Sequence, residues 1–78
     1  MKISRHARNS MRLYKIVDAD IIEVIESPDK KELEGEKVSV IKGFDHKFGG
    51  LPLKVIYKET SEGPFVITAY PLKKKHWR

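Results

Sequence analysis

The sequence contains no cysteine, and this absence excludes several kinds of site at once. Disulfide bonds, thiolate zinc sites, iron–sulfur clusters and cysteine nucleophiles all require a thiol. The histidines, His6, His46 and His76, are far apart in the sequence and have no second ligand at short spacing. Because metal sites usually draw on closely spaced ligands, we predict no metal ion and no cofactor.

Long apolar runs are also absent. No stretch approaches the roughly 18 residues that a membrane-spanning helix requires. Residues 1–3 lead directly into polar sequence, without the hydrophobic segment of a signal peptide. We therefore expect no membrane partner and a cytoplasmic location.

The chain is close to the lower size at which a hydrophobic core alone can stabilise a fold. It has 78 residues, of which 40% are hydrophobic and 35% charged. This composition is typical of a globular domain rather than of a disordered tail, and the length leaves no room for a cleft between two domains. We expect residues 1–78 to form a single domain.

The net charge of +5 is distributed unevenly along the chain. Residues 1–17 contain five basic and no acidic side chains, residues 18–36 contain two and eight, and residues 70–78 contain four and none. Both chain ends are therefore expected to contribute to a positive surface. Either this surface pairs with the acidic segment, or it binds a polyanion.

The first segment predicts a helix that Ser4 caps and that runs to about residue 14 or 15. At 100° per residue its basic side chains fall within an arc of about 80° beside the apolar stripe. These are Arg5, Arg8, Arg12 and Lys15. Like charges at this spacing repel one another, so a compensating anion is needed. It is either the acidic segment or a ligand phosphate.

The second segment predicts a short helix that Asp18 caps and that Pro28 ends. Three acidic side chains fall opposite its apolar side and are expected to be solvated. They are Asp20, Glu23 and Glu26. Residues 30–36 are highly charged and poor in apolar residues, so we predict either a loop or a frayed edge that ends at Gly35.

Three strands are predicted from residues 37–43, 53–59 and 64–70. The Gly49-Gly50 pair between the first two lacks the flanking pattern of a phosphate-binding loop, which favours a flexible turn over residues 45–52. The fold class is therefore α+β, with two N-terminal helices packed on a three- to four-stranded antiparallel sheet. The fourth strand would be an edge strand at residues 1–3.

Basic residues and a tryptophan end the chain. These are Lys73, Lys74, Lys75, His76, Trp77 and Arg78. Such a tail is either solubilising, or it binds nucleic acid, because lysines neutralise phosphates and aromatic rings stack on bases.

Short strings along most of the chain resemble a family of small prokaryotic domains that is catalogued as of unknown function and looks related to the BrnT and RelE-like toxins of type II toxin-antitoxin modules. The strings are Ser4-Arg5-His6-Ala7, Met11, Ile16, Asp20-Ile21, the proline after the second helix, Leu53-Lys54-Val55-Ile56-Tyr57 and Val66-Ile67-Thr68-Ala69-Tyr70. The chain departs from the family's arginine pattern at Ser10, Tyr14 and Lys15, which argues against an arginine-based role at those positions.

The resemblance implies a RelE- or BrnT-like α+β fold and an RNA-cleaving toxin that an acidic antitoxin protein neutralises. The RNA could be free, or it could be a message bound to the ribosome. Metal-independent cleavage needs a base, an acid and cations that hold the phosphate charge. We assign these roles to His6, Lys54, Tyr70 and His76.

The residues predicted to bind nucleic acid are Arg5, Arg8, Arg12, Lys15, Lys58, Lys73, Lys74, Lys75, Trp77 and Arg78. In this hypothesis the sheet face that carries Lys54, Lys58 and Tyr70 joins the first helix and the tail in one groove. The residue inventory permits catalysis and does not demand it. A non-enzymatic module that binds nucleic acid or a partner with the same surface is the alternative, and a sheet edge that accepts a partner's strand is a third.

Overall fold

The computed structural model describes residues 1–44 and 47–73. Within them the chain forms two helices, five strands and a short 3-10 turn. In chain order these are β1 (Lys2–Ile3), α1 (Arg5–Tyr14), α2 (Asp18–Glu26), β2 (Lys30–Glu34), β3 (Lys37–Lys42), the 3-10 turn (Phe48–Gly50), β4 (Leu53–Thr60) and β5 (Gly63–Pro71). No helix in this part of the chain has the length and apolar character needed to cross a membrane.

The strands form one mixed sheet in the order β1-β5-β4-β3-β2. Strands β2 to β5 are an antiparallel meander, whereas β1 pairs with β5 in parallel, with Ile3 opposite Val66. The predicted α+β class with two N-terminal helices is confirmed. The sheet has five strands rather than the three or four predicted, because residues 30–34 add a strand. Residues 2–3 form the possible fourth strand of the prediction, but this strand is parallel to β5, so the sheet is mixed and not purely antiparallel.

Strand β2 corrects the prediction of a loop or a frayed edge over residues 30–36, because residues 30–34 form a regular edge strand. It pairs with β3 along its whole length, from Lys30 opposite Ile41 to Glu34 opposite Lys37. Its side chains are mostly exposed. Backbone N–H and C=O groups form the ladder whatever side chains they carry, so a charged segment with no apolar face can serve as an edge strand.

Both helices pack on one face of the sheet. In β4 the buried side chains of Leu53, Val55 and Tyr57 point to the helices, and the intervening residues point to the opposite face. The buried apolar core consists of Ala7, Met11, Ile16, Ile21, Val24, Val38, Val40, Leu53, Val55, Tyr57, Val66 and Ala69. The face of the sheet opposite the helices, called the open face below, therefore has no helix over it in the described chain.

The start of α2 corrects two predictions. Its N-cap is Val17, and Asp18 is the first helical residue rather than the cap. The Asp20 carboxylate accepts hydrogen bonds from the Val17 backbone N–H at 3.1 Å and from Lys47 Nζ at 2.7 Å. Asp20 is only 3% exposed, so it does not face solvent as predicted. The loop before β4 supplies the cation that makes this burial tolerable.

Replacing Asp20 should therefore destabilise the fold much more than replacing Asp18. Asp20→Ala removes a charge-assisted bond to Lys47 and leaves the Val17 N–H without its acceptor, and we expect the free energy of unfolding to fall by about 2 kcal/mol. Asp18→Ala removes an exposed ion pair with Arg8, 2.7 Å long, and should cost at most about 1 kcal/mol. Urea unfolding of the two variants measures both values, and equal losses would contradict the structural role of Asp20.

Candidate functional site

Strand β5 is paired with β4 along one edge, but the shortness of β1 leaves half of its outer edge without a strand. β1 pairs only with Phe65 and Val66, and the Ser4 backbone N–H then donates to the Val66 carbonyl at 2.9 Å. At Arg5 the chain turns into α1, which packs on β5. From Thr68 onward the outer edge of β5 therefore borders α1 and open space rather than a strand of the described chain.

Ser4 fixes the point at which α1 leaves this edge. Its hydroxyl accepts a hydrogen bond from the Ala7 backbone N–H at 3.0 Å, which confirms the predicted N-cap. The same hydroxyl donates to the Ile67 carbonyl at 2.8 Å. One side chain thus joins the first turn of α1 to β5, and this places His6 beside the uncovered edge.

A cavity of about 720 Å³ lies between α1 and the second half of β5. From α1 it is lined by His6, Ser10 and Tyr14, which lie four residues apart and so share one side of the helix. The remaining lining residues come from β5, the loop before β4 and the segment after β5. They are Thr68, Tyr70, Pro71, Phe48, Leu51, Leu72 and Lys73.

Two of the four residues predicted to be catalytic meet at this cavity. His6 and Tyr70 come from opposite ends of the chain and line the same space, together with Lys73. Lys54 does not line the cavity, but its Cα is the direct cross-strand partner of Tyr70. His76 lies outside the described residues, as do Lys74, Lys75, Trp77 and Arg78 of the predicted binding set.

Five lysines lie on the open face of the sheet, against two glutamates. By strand register they are Lys2, Lys30, Lys37, Lys54 and Lys58, with Glu32 and Glu34. Three of the five are paired with acidic side chains: Lys2 with Glu62 at 3.2 Å, Lys58 with Glu36 at 3.3 Å and Lys30 with Glu32 at 3.5 Å. Lys37 and Lys54 have no acidic group within 4.0 Å in the described chain. Tyr70 belongs to this face by register and also lines the cavity, so the two surfaces meet at its ring.

The basic stripe of α1 lies apart from the cavity. His6 and Ser10 directly precede the buried residues Ala7 and Met11, whereas Arg8 and Arg12 directly follow them. At 100° per residue the two sets fall on opposite borders of the buried side. Neither Arg5, Arg8, Arg12 nor Lys15 lines the cavity. The structure thus separates this stripe from the open face, since α1 lies on the other side of the sheet.

The acidic segment compensates part of the positive charge of the basic stripe, through Asp18. Both terminal guanidinium nitrogens of Arg8 donate to the Asp18 carboxylate, at 2.7 and 3.2 Å, and so connect the two helices. Within residues 1–44 and 47–73, Arg5, Arg12 and Lys15 have no acidic group within 4.0 Å. These three exposed cations remain available to an external anion.

The loop before β4 supplies a cavity wall that the sequence did not reveal. Its Gly49-Gly50 pair predicted a flexible turn, yet residues 48–50 form a 3-10 turn, and Lys47 attaches the loop to Asp20 at 2.7 Å. Phe48 and Leu51 of this loop line the cavity. An aromatic residue before a glycine pair carries no periodic signal, so only the tertiary contact identifies Phe48.

Tyr57 has a raised pKa. Burial in the core raises the pKa of Tyr57 above its ordinary value of 10.0, and the nearby Glu59 carboxylate raises it further. Tyr57 lies under the helices and not at the cavity. Among the described residues no group of three or more histidine, aspartate or glutamate side chains is placed to hold a metal ion.

The chain belongs to the family described as Domain of unknown function (DUF4258), whose model matches residues 3–71. The predicted membership in a small family of unknown function is therefore confirmed, while the relation to BrnT and RelE-like toxins stays a prediction. No curated protein and no solved structure matches the chain.

Ser4→Ala should loosen the junction that positions His6. The variant loses the helix cap and the bond to Ile67, and we expect the free energy of unfolding to fall by about 1 to 2 kcal/mol. Ser61→Ala, at an exposed position in the turn after β4, should change it by less than about 0.5 kcal/mol. Guanidinium unfolding compares them. A loss in Ser4→Ala no larger than in Ser61→Ala would show that the junction does not depend on this hydroxyl.

Proposed function

We propose that the protein binds single-stranded RNA across the open face of the sheet and cleaves it at the cavity, as a metal-independent endoribonuclease of a type II toxin-antitoxin module. The observation that carries the proposal is the meeting of His6 and Tyr70 at one cavity, with Lys73 in its lining. The charge of the open face and the resemblance to RNA-cleaving toxins support it.

The cleavage chemistry uses groups that the cavity contains. The His6 imidazole accepts the proton of the ribose 2′-hydroxyl, and the 2′-oxygen attacks the phosphorus. The bond from phosphorus to the 5′-oxygen breaks, and the Tyr70 hydroxyl donates a proton to that leaving oxygen. The Lys73 ammonium holds the added negative charge on the phosphate. The products are a 2′,3′-cyclic phosphate and a 5′-hydroxyl.

The path of the strand follows from charge. Lys54 is half-buried, has no acidic partner in the described chain and is the cross-strand neighbour of Tyr70. A phosphate on this lysine would lie next to the point where the open face meets the cavity. The open-face lysines would then attract the backbone on one side of Tyr70, and Lys73 would do so on the other.

A binding module without cleavage is the second candidate, and the position of the α1 stripe favours it. Arg5, Arg12 and Lys15 are exposed, lack an acidic partner in the described chain and lie away from the cavity. A cation cluster at a distance from the proposed catalytic groups fits the docking of an acidic partner, such as an antitoxin protein. In this reading the cavity would bind a ligand but would not react with it.

Cleavage should depend on His6 and Tyr70 far more than folding does. We expect His6→Ala and Tyr70→Phe each to lower the cleavage rate of a single-stranded RNA by about 10²- to 10⁴-fold, because each removes a proton-transfer group. Thermal unfolding midpoints should stay near that of the wild type. The matched controls are Asn9→Ala on the exposed side of α1 and Tyr57→Phe in the core, and both should cleave normally.

Intact RNA after incubation with the wild-type protein, both free and on ribosomes, would rule out the nuclease and leave the binding module. Losses of rate that parallel losses of stability would assign His6 and Tyr70 to the structure instead.

The route across the open face is tested by the salt dependence of binding. Lys54→Ala should weaken binding to single-stranded RNA. The logarithm of the association constant falls as the logarithm of the salt concentration rises, and the variant should make this negative slope shallower by about 0.7, the value for one phosphate contact on a single strand. Lys31→Ala removes a lysine that pairs with Val40 and so points to the helix-covered face. It should leave the slope unchanged. An unchanged slope in Lys54→Ala would place the strand elsewhere.

A further inference from the structure

Phe48 adopts a backbone conformation that side chains with a Cβ rarely adopt. Its φ is 55°, and the two glycines that follow it have φ values of 63° and 79°. Glycine tolerates this left-handed region without strain, whereas a bulky residue there is an outlier. The position would thus favour glycine, yet the chain has phenylalanine. Backbone strain of this kind clusters at active sites, ligand-binding positions and switch regions.

The strained residue is held on both sides. Lys47, immediately before it, binds the buried Asp20 carboxylate at 2.7 Å. After it, the Leu51 backbone N–H donates to the Phe48 carbonyl at 3.0 Å. The Phe44 ring meets the Phe48 ring edge to face, with centroids 5.4 Å apart and an interplanar angle of 84°. The ring is therefore fixed against the core before any ligand arrives.

The ring faces a cavity whose lining suits a flat heterocycle. Phe48 lines it together with Tyr14 and Tyr70, so aromatic side chains enter from three separate elements. The Ser10 and Thr68 hydroxyls add groups that can both donate and accept hydrogen bonds. A volume of about 720 Å³ is in the range of small-molecule sites. Aromatic walls with a few polar groups are how proteins hold an unstacked base.

We propose that the cavity binds one nucleobase of the RNA strand, stacked on Phe48, and that the strained loop holds the Phe48 ring in its binding position before the RNA arrives. The proposal rests on the proposed function, which supplies the strand. It adds a base-binding residue to a site otherwise described by its proton-transfer groups and cations. Base capture next to His6 would fix which ribose presents its 2′-hydroxyl.

The first arm of the test measures strain without RNA. Phe48→Gly and Phe48→Ala both remove the ring, but only glycine relieves the left-handed backbone. We expect the unfolding midpoint of Phe48→Gly to lie above that of Phe48→Ala. At an unstrained position the order is reversed, because alanine restricts the unfolded chain. The reversed order would overturn the strained-loop part of the proposal.

The second arm compares a single-stranded RNA of 12 nucleotides with the same ribose-phosphate chain lacking its bases. The wild type should bind the intact strand about 10-fold more tightly, the size expected for one stacked base. Phe48→Gly should lose this preference, and Phe48→Trp should retain it. Lys54→Ala is the matched control, because it should weaken both strands alike and keep the preference.

The outcomes distinguish a failure of the base site from a failure of the proposed RNA-binding function. If the wild type binds both strands equally, RNA binding stands and the base site is overturned. If Phe48→Gly keeps the full preference, the stacking residue is not Phe48 and the proposal is overturned. If the wild type binds neither strand at low salt, the proposed function fails and the base site fails with it.

Discussion

The parallel pairing of the first residues with β5 is the constraint on which the other features depend. Because β1 is only two residues long, Ser4 has to end the strand and begin α1 at once, and its hydroxyl does both. This junction places α1 along β5 and leaves the outer edge of the second half of β5, opposite β4, without a strand in the described chain. The cavity is the space that results. A longer first strand would fill it with backbone.

A second connection supports the cavity from the other side. Asp20 near the start of α2 holds Lys47, and Lys47 directs the following turn so that Phe48 and Leu51 become cavity wall. The buried carboxylate is acceptable because two donors satisfy it. Helix packing, loop position and cavity shape are therefore coupled through one ion pair. Substitutions at Asp20 or Lys47 are expected to change the shape of the cavity, although neither residue lines it.

Much of the fold could be predicted from local patterns. Ser4 as a cap, the helical stripe of Ala7 and Met11, and the alternation of Leu53, Val55 and Tyr57 are all properties of short segments, and periodicity reports them directly. The strand at Lys30–Glu34 was not predicted, because an edge strand needs only backbone pairing and no apolar pattern. The burial of Asp20 was not predicted, because it depends on Lys47, which is distant in the sequence. The role of Phe48 in the cavity wall was missed for the same reason, because it depends on contacts between distant segments.

The sequence by itself determined the α+β class, the two helices, the absence of thiol chemistry and the family, because composition, periodicity and short motifs are local properties. It also identified His6 and Tyr70 as candidates, but only as residue types with suitable chemistry. Only the tertiary structure decided that these two share a cavity, that Phe48 joins them, and that the basic stripe of α1 lies elsewhere. The physical reason is that strand register and helix orientation, which bring distant residues together, are set by packing across the whole chain.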